Sequence, residues 1–149
     1  MDRRKLAHDL FYEGCNCSQA VFCAFEDLTG IDHETSLKLS SGFGGGMGRL
    51  REVCGAVSGM VLAADMLYGY TDVSDPTKKS EHYKLVQALC KQFSDETGSV
   101  VCRELLGLNE ASEPYSPPRT EEFYNTRPCP KLITLAAGIL EDYIKERGE

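Results

Sequence analysis

Four of the seven cysteines fall at or near the predicted start of a helix. Cys17 follows Asn16, a good N-cap; Cys102 opens a short helical stretch; Cys129 stands immediately before a first-turn proline, Pro130. Cys54 lies within the first turns of a helix if that helix begins near Arg51. The start of a helix carries unpaired N–H groups and a partial positive charge, and both favour a thiolate. The thiolate is the form of cysteine that binds metals and attacks disulfides. Brought to one end of a helical bundle, these four would be either a set of metal ligands or a cluster of reactive thiols. Spacing alone does not say whether they meet.

Nor does spacing choose between the two chemistries. Zinc and rubredoxin-like sites usually carry paired C-x-x-C knuckles, whereas the close pair here is Cys15-Asn16-Cys17. Cys23 lies with Ala20 and Ala24 on an apolar face, and Cys90 sits beside Leu89, so both read as buried, inert thiols. The stretch Cys54-Gly55-Ala56-Val57-Ser58-Gly59 poses its own question, because each glycine costs a helix interior about 1 kcal/mol relative to alanine. Gly55 and Gly59 are therefore candidate cofactor-binding positions, where a metal centre could come close to Cys54. Small residues four apart equally let a neighbouring helix approach.

Other candidates are weaker. His8, His33 and His82 are scattered, with no H-E-x-x-H pattern, and read as solvated or core residues. Residues 42 to 49, GFGGGMGR, lack the G-K-[ST] ending of a phosphate-binding loop and follow a polar helical stretch instead of a strand. They read instead as a loop packed tightly around whatever Cys54 holds. Arg49 and Arg51 could offset thiolate or cluster charge, with solvation on a helix surface the plainer reading.

The elements that must position these residues are helical. Leu6, Leu10 and Phe11 predict a helix over 3–13, closed by Gly14, and a second runs from Cys17 to about Leu28, ended by Gly30. Asp32 can cap a short helix through Leu39, and 40–48 must be an irregular loop. In the helix after Arg51, Val57, Val61, Leu62, Met66 and Leu67 suit burial. Asp75-Pro76 starts a long helix to about Thr97 with Leu85, Leu89 and Phe93 as its core face. A long, proline-bearing loop spans 107–128, and Cys129-Pro130 opens a last amphipathic helix through Ile144. No stretch alternates with period two. The expectation is an all-α bundle of about five to six helices, forming one domain over 1–149.

Composition bounds the partners. With 23 acidic residues against 16 basic ones the net charge is −7 and no basic run appears, so nucleic acid is not expected as a partner. No apolar run approaches the ~20 residues of a membrane span, and MDRRKLAHDLFYEG lacks the apolar core of a signal peptide. No membrane association and a cytoplasmic location follow as expectations. In that compartment thiols stay reduced, so an odd cysteine count points to metal ligation, redox chemistry or burial in place of disulfides.

Together, these residues resemble a family of small bacterial proteins described as redox-active, the C_GCAxxG_C_C family. It is named for a C-G-A-x-x-G signature and four widely spaced cysteines. Cys54-Gly55-Ala56-Val57-Ser58-Gly59 carries the signature, preceded by GFGGGMGRLREV, and the other family cysteines map to Cys17, Cys102 and Cys129. The resemblance runs from about residue 5 to residue 145, and Cys15, Cys23 and Cys90 fall outside the pattern. It implies redox activity for the chain. A similar domain in split-Soret cytochromes, haem proteins with an additional iron centre, implies an iron–sulfur cluster ahead of zinc. There is no C-x-x-C-H for c-type haem.

Three functions follow as expectations. The first is a metal or iron–sulfur centre held by Cys17, Cys54, Cys102 and Cys129, with electron transfer as its expected use. The second is a metal-free thiol–disulfide oxidoreductase, with Cys54 as the redox-active nucleophile. The third is a structural or partner-binding helical domain with buried cysteines. A redox protein or a second copy of the chain could dock on the tyrosine-bearing loop at 107–128, whose composition equally suits a solvated excursion.

Overall fold

The computed structural model describes residues 2–148, and of Asn125 and Thr126 the backbone alone. Met1 and Glu149, the outermost residues of the domain expected over 1–149, lie outside the described residues. Helices α1 (Arg3–Tyr12), α2 (Cys17–Cys23), α3 (Glu26–Thr29), α4 (His33–Ser40) and a single tight turn, α5 (Gly44–Met47), left-handed at Gly45, Gly46 and Met47, precede α6 (Gly55–Tyr68) and α7 (Pro76–Thr97). The chain ends with α8 (Cys102–Leu106), α9 (Glu121–Thr126) and α10 (Cys129–Glu146). The fold is all-α. Among the described residues no strand forms, and Val53 and Val101 make one isolated antiparallel bridge. Nor is any described helix long and apolar enough to cross a membrane.

Local chemistry starts most of the long helices. Asn16 and Gln19 form a reciprocal capping box at α2, with Asn16 Oδ1 accepting from Gln19 N–H and Gln19 Oε1 accepting from Asn16 N–H. Asp32 caps α4, and Asp75 caps α7 with Pro76 behind it. Two expectations are corrected by tertiary contacts. The helix predicted from Cys17 to Leu28 is broken into α2 and α3, because Arg3 takes the Ala24 carbonyl as a hydrogen-bond acceptor at 2.9 Å and Phe25 turns fully into the core. The loop at 107–128 contains α9, capped by Thr120, whose Phe123 and Tyr124 pack on α1. Tyr124 stacks on Tyr12 with centroids 4.2 Å apart.

The core joins Phe11 of α1, Phe22 and Phe25 around α2, Met60 of α6, Leu89 and Phe93 of α7, and Ile133 and Leu140 of α10. Arg3 fastens α1 to this frame. Its backbone N–H donates to the buried Glu141 carboxylate at 2.8 Å, and its guanidinium pairs with Asp27.

Helix α6 buries a different face from the one its large residues suggest. Val57 is buried as expected, but Val61, Leu62 and Leu67 are half-buried and Met66 is exposed, while Gly55, Ala56, Gly59, Met60, Ala63 and Ala64 are buried. The small face wins because α2 lies against it at backbone distance. A β-carbon at Gly59 would stand 2.6 Å from the Ser18 carbonyl oxygen and 3.1 Å from Val21 Cβ. Gly59→Ala should therefore destabilise the protein by ~1–3 kcal/mol despite alanine's better helix propensity. Urea unfolding should show a lower midpoint at unchanged slope.

Candidate functional site

The four motif cysteines are delivered by four helix starts. Cys17 is the first residue of α2, Cys102 of α8 and Cys129 of α10, and Cys54 is the N-cap of α6. Two extended segments set Cys54 beside Cys102. Cys54 N–H donates to the Val100 carbonyl at 2.7 Å, Cys102 N–H donates to Glu52, and Arg103 N–H donates to Arg51 at 3.1 Å. Cys17 is brought up by the α2–α6 contact. A β-carbon at Gly55 would lie 3.1 Å from Cys17 Cβ and 2.9 Å from the Phe43 carbonyl oxygen. Gly55 and Gly59 thus face a neighbouring helix. Gly55 also fixes how near Cys17 comes to Cys54.

The glycine loop wraps the outside. Gly45, Gly46, Met47, Gly48, Arg49 and Arg51 all have positive φ, three of them with side chains that disfavour it by roughly 1–2 kcal/mol each. Hydrogen bonds from Arg51 N–H to Gly45 (3.1 Å) and from Glu52 N–H to Gly46 (2.9 Å) hold the turn. At Gly46 a β-carbon would meet Cys102 Cβ at 2.7 Å, so the loop closes directly over that cysteine. The same turn drives Arg51 inward. It is 6% exposed, not solvated, and donates from Nε to Ser112 Oγ at 2.9 Å and from Nη1 to Cys102 Sγ at 3.7 Å.

Electrostatics divides the four thiols. Cys17 is affected by the other three, and Cys54 by Cys102 and Cys129, so all belong to one electrostatic cluster. Burial pushes the Cys54 thiol up to about 12, against the N–H groups of Val57 and Ala56 at the start of α6. Cys129 goes the other way, down to about 7, because it accepts a hydrogen bond from the Cys17 thiol and lies near Arg127, Arg51 and Arg119. The same hydrogen bond, with burial, raises Cys17. The thiolate of this cluster near neutral pH is therefore Cys129, while Cys54 is only 4% exposed.

A cleft of about 320 Å³ opens beside Cys17 and Cys129, with Gly44, Gly45 and Gly48 on one wall. Arg119, from the segment before α9, donates to the Phe11 and Cys15 carbonyls at 3.0 Å each and lies 4.3 Å over the Phe11 ring. That contact explains why the 107–120 segment covers this end of the bundle. Cys15 and Cys90 are half-buried and Cys23 is buried, outside the cluster.

Cys23 has company that sequence reading missed. Its sulfur, a Glu26 oxygen and a His33 ring nitrogen lie within 4.8 Å of one another, with His33 Nδ1 2.6 Å from Glu26 Oε1. The break after α2 brings His33 back to Cys23; the available sequence signal was only the i, i+3 spacing of Cys23 and Glu26. Among the described residues this is the one such tight group, so no three of the motif sulfurs are that close together.

A family model described as "Putative redox-active protein (C_GCAxxG_C_C)" matches residues 15–143. The chain belongs to this family. The match spans all four clustered cysteines and the glycine loop. No curated protein and no solved structure matches the chain.

For this redox-active family member, the thiol pair predicts a pH profile. A thiol whose pKa falls from 9.0 to about 7 is mostly thiolate above pH 7 and mostly thiol below it. Iodoacetamide should therefore label Cys129 of metal-free protein half-maximally near pH 7, leaving Cys54 unlabelled, as read by peptide mass spectrometry. Cys17→Ala removes the hydrogen-bond donor and should move that midpoint up by about one to two pH units.

Proposed function

We propose that Cys17, Cys54, Cys102 and Cys129 hold an iron–sulfur centre, or another thiolate-bound metal, that exchanges electrons with a redox partner protein. The convergence of four thiols at four helix starts carries this reading. Four cysteine thiolates are the usual ligand set of iron–sulfur clusters and a common one for zinc. Spacing favours the cluster. A single tetrahedral ion with bonds of ~2.3 Å needs its sulfurs ~3.8 Å apart, and no three of these lie within 4.8 Å of one another. A cluster spreads its thiolate ligands over more than one iron and so spans wider separations. When bound, such a centre accepts and returns one electron at a time.

The chain's own residues have definable parts in this reading. Cys54 and Cys102 are the inner pair and Cys17 and Cys129 the pair facing the cleft. Arg51 donates toward the Cys102 sulfur, which stabilises negative charge there and would raise the potential of whatever the sulfur binds. The glycine loop excludes water from the inner pair.

One observation supports a second reading, thiol–disulfide exchange. Cys17 and Cys129 share a hydrogen bond, with Cys129 poised as thiolate. Cys129 would attack a partner's disulfide and release one partner thiolate. Cys17 would then close on the Cys129 sulfur, releasing the second, so that the partner is reduced as the pair is oxidised.

Iron and acid-labile sulfide per chain, with a visible spectrum, measured on protein purified without oxygen, tests the choice. The expected result is a thiolate-to-iron band lost on Ser substitution at Cys54 or Cys102 and kept in Cys90→Ser. Arg51→Gln should weaken metal retention by ~10–100-fold. Metal-free protein with a reversible Cys17–Cys129 disulfide would replace this reading with the second.

A further inference from the structure

Four of the chain's eight arginines, Arg49, Arg51, Arg119 and Arg127, line the cleft beside Cys17 and Cys129, and no aspartate or glutamate lines it. This is a local reversal in a chain whose net charge is −7. Elsewhere arginines meet carboxylates: Arg3 pairs with Asp27, Arg4 with Asp142 and Arg103 with Glu52. In the cleft, Arg51 and Arg119 spend their N–H groups on Ser112, Cys102 and two backbone carbonyls, all uncharged partners as thiols and carbonyls, and keep their full positive charge. Arg49 and Arg127 have no carboxylate within ion-pair distance among the described residues, and Arg127 rests over the Phe123 ring, 5.4 Å from its centroid. Burial and the nearby charges of Arg51 and Arg127 disfavour the Arg49 cation, and Glu113 opposes them.

Holding like charges together in a partly desolvated cleft is unfavourable unless an anion joins them. The motif sulfurs do not suffice, since only Cys17 and Cys129 open onto the cleft against four guanidinium groups. Phe123, Pro114 and Pro117 add apolar surface to the lining, beside the neutral polar Asn16, Ser41 and Ser116. A volume of about 320 Å³ suits a small molecule.

We propose that this cleft binds a small organic anion, its acid group on Arg49 and Arg127 and its apolar body against Phe123, Pro114 and Pro117, within reach of Cys17 and Cys129. Binding stands on the cleft alone; its role as the substrate of a redox centre rests on the function proposed above. Guanidinium groups present paired donors that match carboxylate and phosphate oxygens, so both headgroups are candidates and the test separates them.

Calorimetric titration at low salt would use phenyl phosphate, benzoate and inorganic phosphate as probes, on both metal-free and metal-loaded protein. Phenyl phosphate or benzoate should bind saturably, with inorganic phosphate weaker because it lacks the apolar body. Whichever of the two binds tighter identifies the headgroup. Arg49→Gln and Arg127→Gln should each weaken binding about tenfold or more, with melting temperature unchanged, while Arg103→Gln on the outer surface should not. Three results would overturn the proposal: no saturable binding below ~1 mM, equal weakening by Arg103→Gln, or loss of binding once metal is loaded, which would make the cleft the metal's own space. Anion binding by a protein that retains no metal would keep this site and retire the metal reading. Metal retention without anion binding would do the reverse.

Discussion

At Gly59 the space a β-carbon would fill is taken by the Ser18 carbonyl oxygen, and one turn earlier, at Gly55, by the Phe43 carbonyl and the β-carbon of Cys17. Helices α2 and α6 therefore touch backbone to backbone, closer than any pair of helices with ordinary side chains could. That contact places the first residue of α2 beside the N-cap of α6, and with it Cys17 beside Cys54. Any side chain at Gly59 would push α2 outward, and the two cysteines would separate by a comparable distance. The helix propensity lost at both glycines is the cost of bringing two helix starts to one point.

The glycine loop solves a second problem at the same end of the molecule. Positive φ at every residue from Gly45 to Arg51 except Leu50 turns the chain in a sense that L-residues resist, and the turn is sustained by its own backbone hydrogen bonds. Its product is specific: Gly46 lies on Cys102, and Arg51 is carried into the interior with a donor on the Cys102 sulfur. Strain of this kind collects where function requires a geometry that relaxed backbone would not adopt. A buried guanidinium that meets a sulfur and a serine hydroxyl, with no carboxylate bonded to it, is costly in a purely structural setting and useful beside a group that becomes negative.

The four cysteines are consequently unequal. Cys54 and Cys102 are buried behind the loop, and burial raises the Cys54 thiol, so this inner pair is shielded from solvent and from attack. Cys17 and Cys129 face the arginine-lined cleft, and a hydrogen bond between them concentrates thiolate character on Cys129. An inner pair that is shielded and an outer pair that is addressed from solvent fits a redox-active family, whichever of metal or disulfide chemistry the outer pair serves.

Much of this was legible locally. Asn16, Asp32 and Asp75 announce helix starts by their own hydrogen bonds to the next turn, and the alternation of apolar residues in α7 and α10 follows from one helix facing one core. The placement of four cysteines at helix starts, and the resemblance that identifies the family, likewise reside in short stretches of chain. What depended on distant residues was not legible. The break after Cys23 needs Arg3, the helix within 107–128 needs Phe11 and Tyr12, and the burial of Arg51 needs Ser112 and Cys102. The buried face of α6 is its small face because α2 is there, and the grouping of Cys23 with Glu26 and His33 follows from the bend that Arg3 helps make. Sequence by itself determined where helices begin and which residues could bind or react, because those properties act within a turn or two of chain. Tertiary structure alone decided that four helix starts come to one end of the bundle, which of their cysteines is shielded, and that half the arginines gather in one cleft, because each is a contact between segments tens of residues apart.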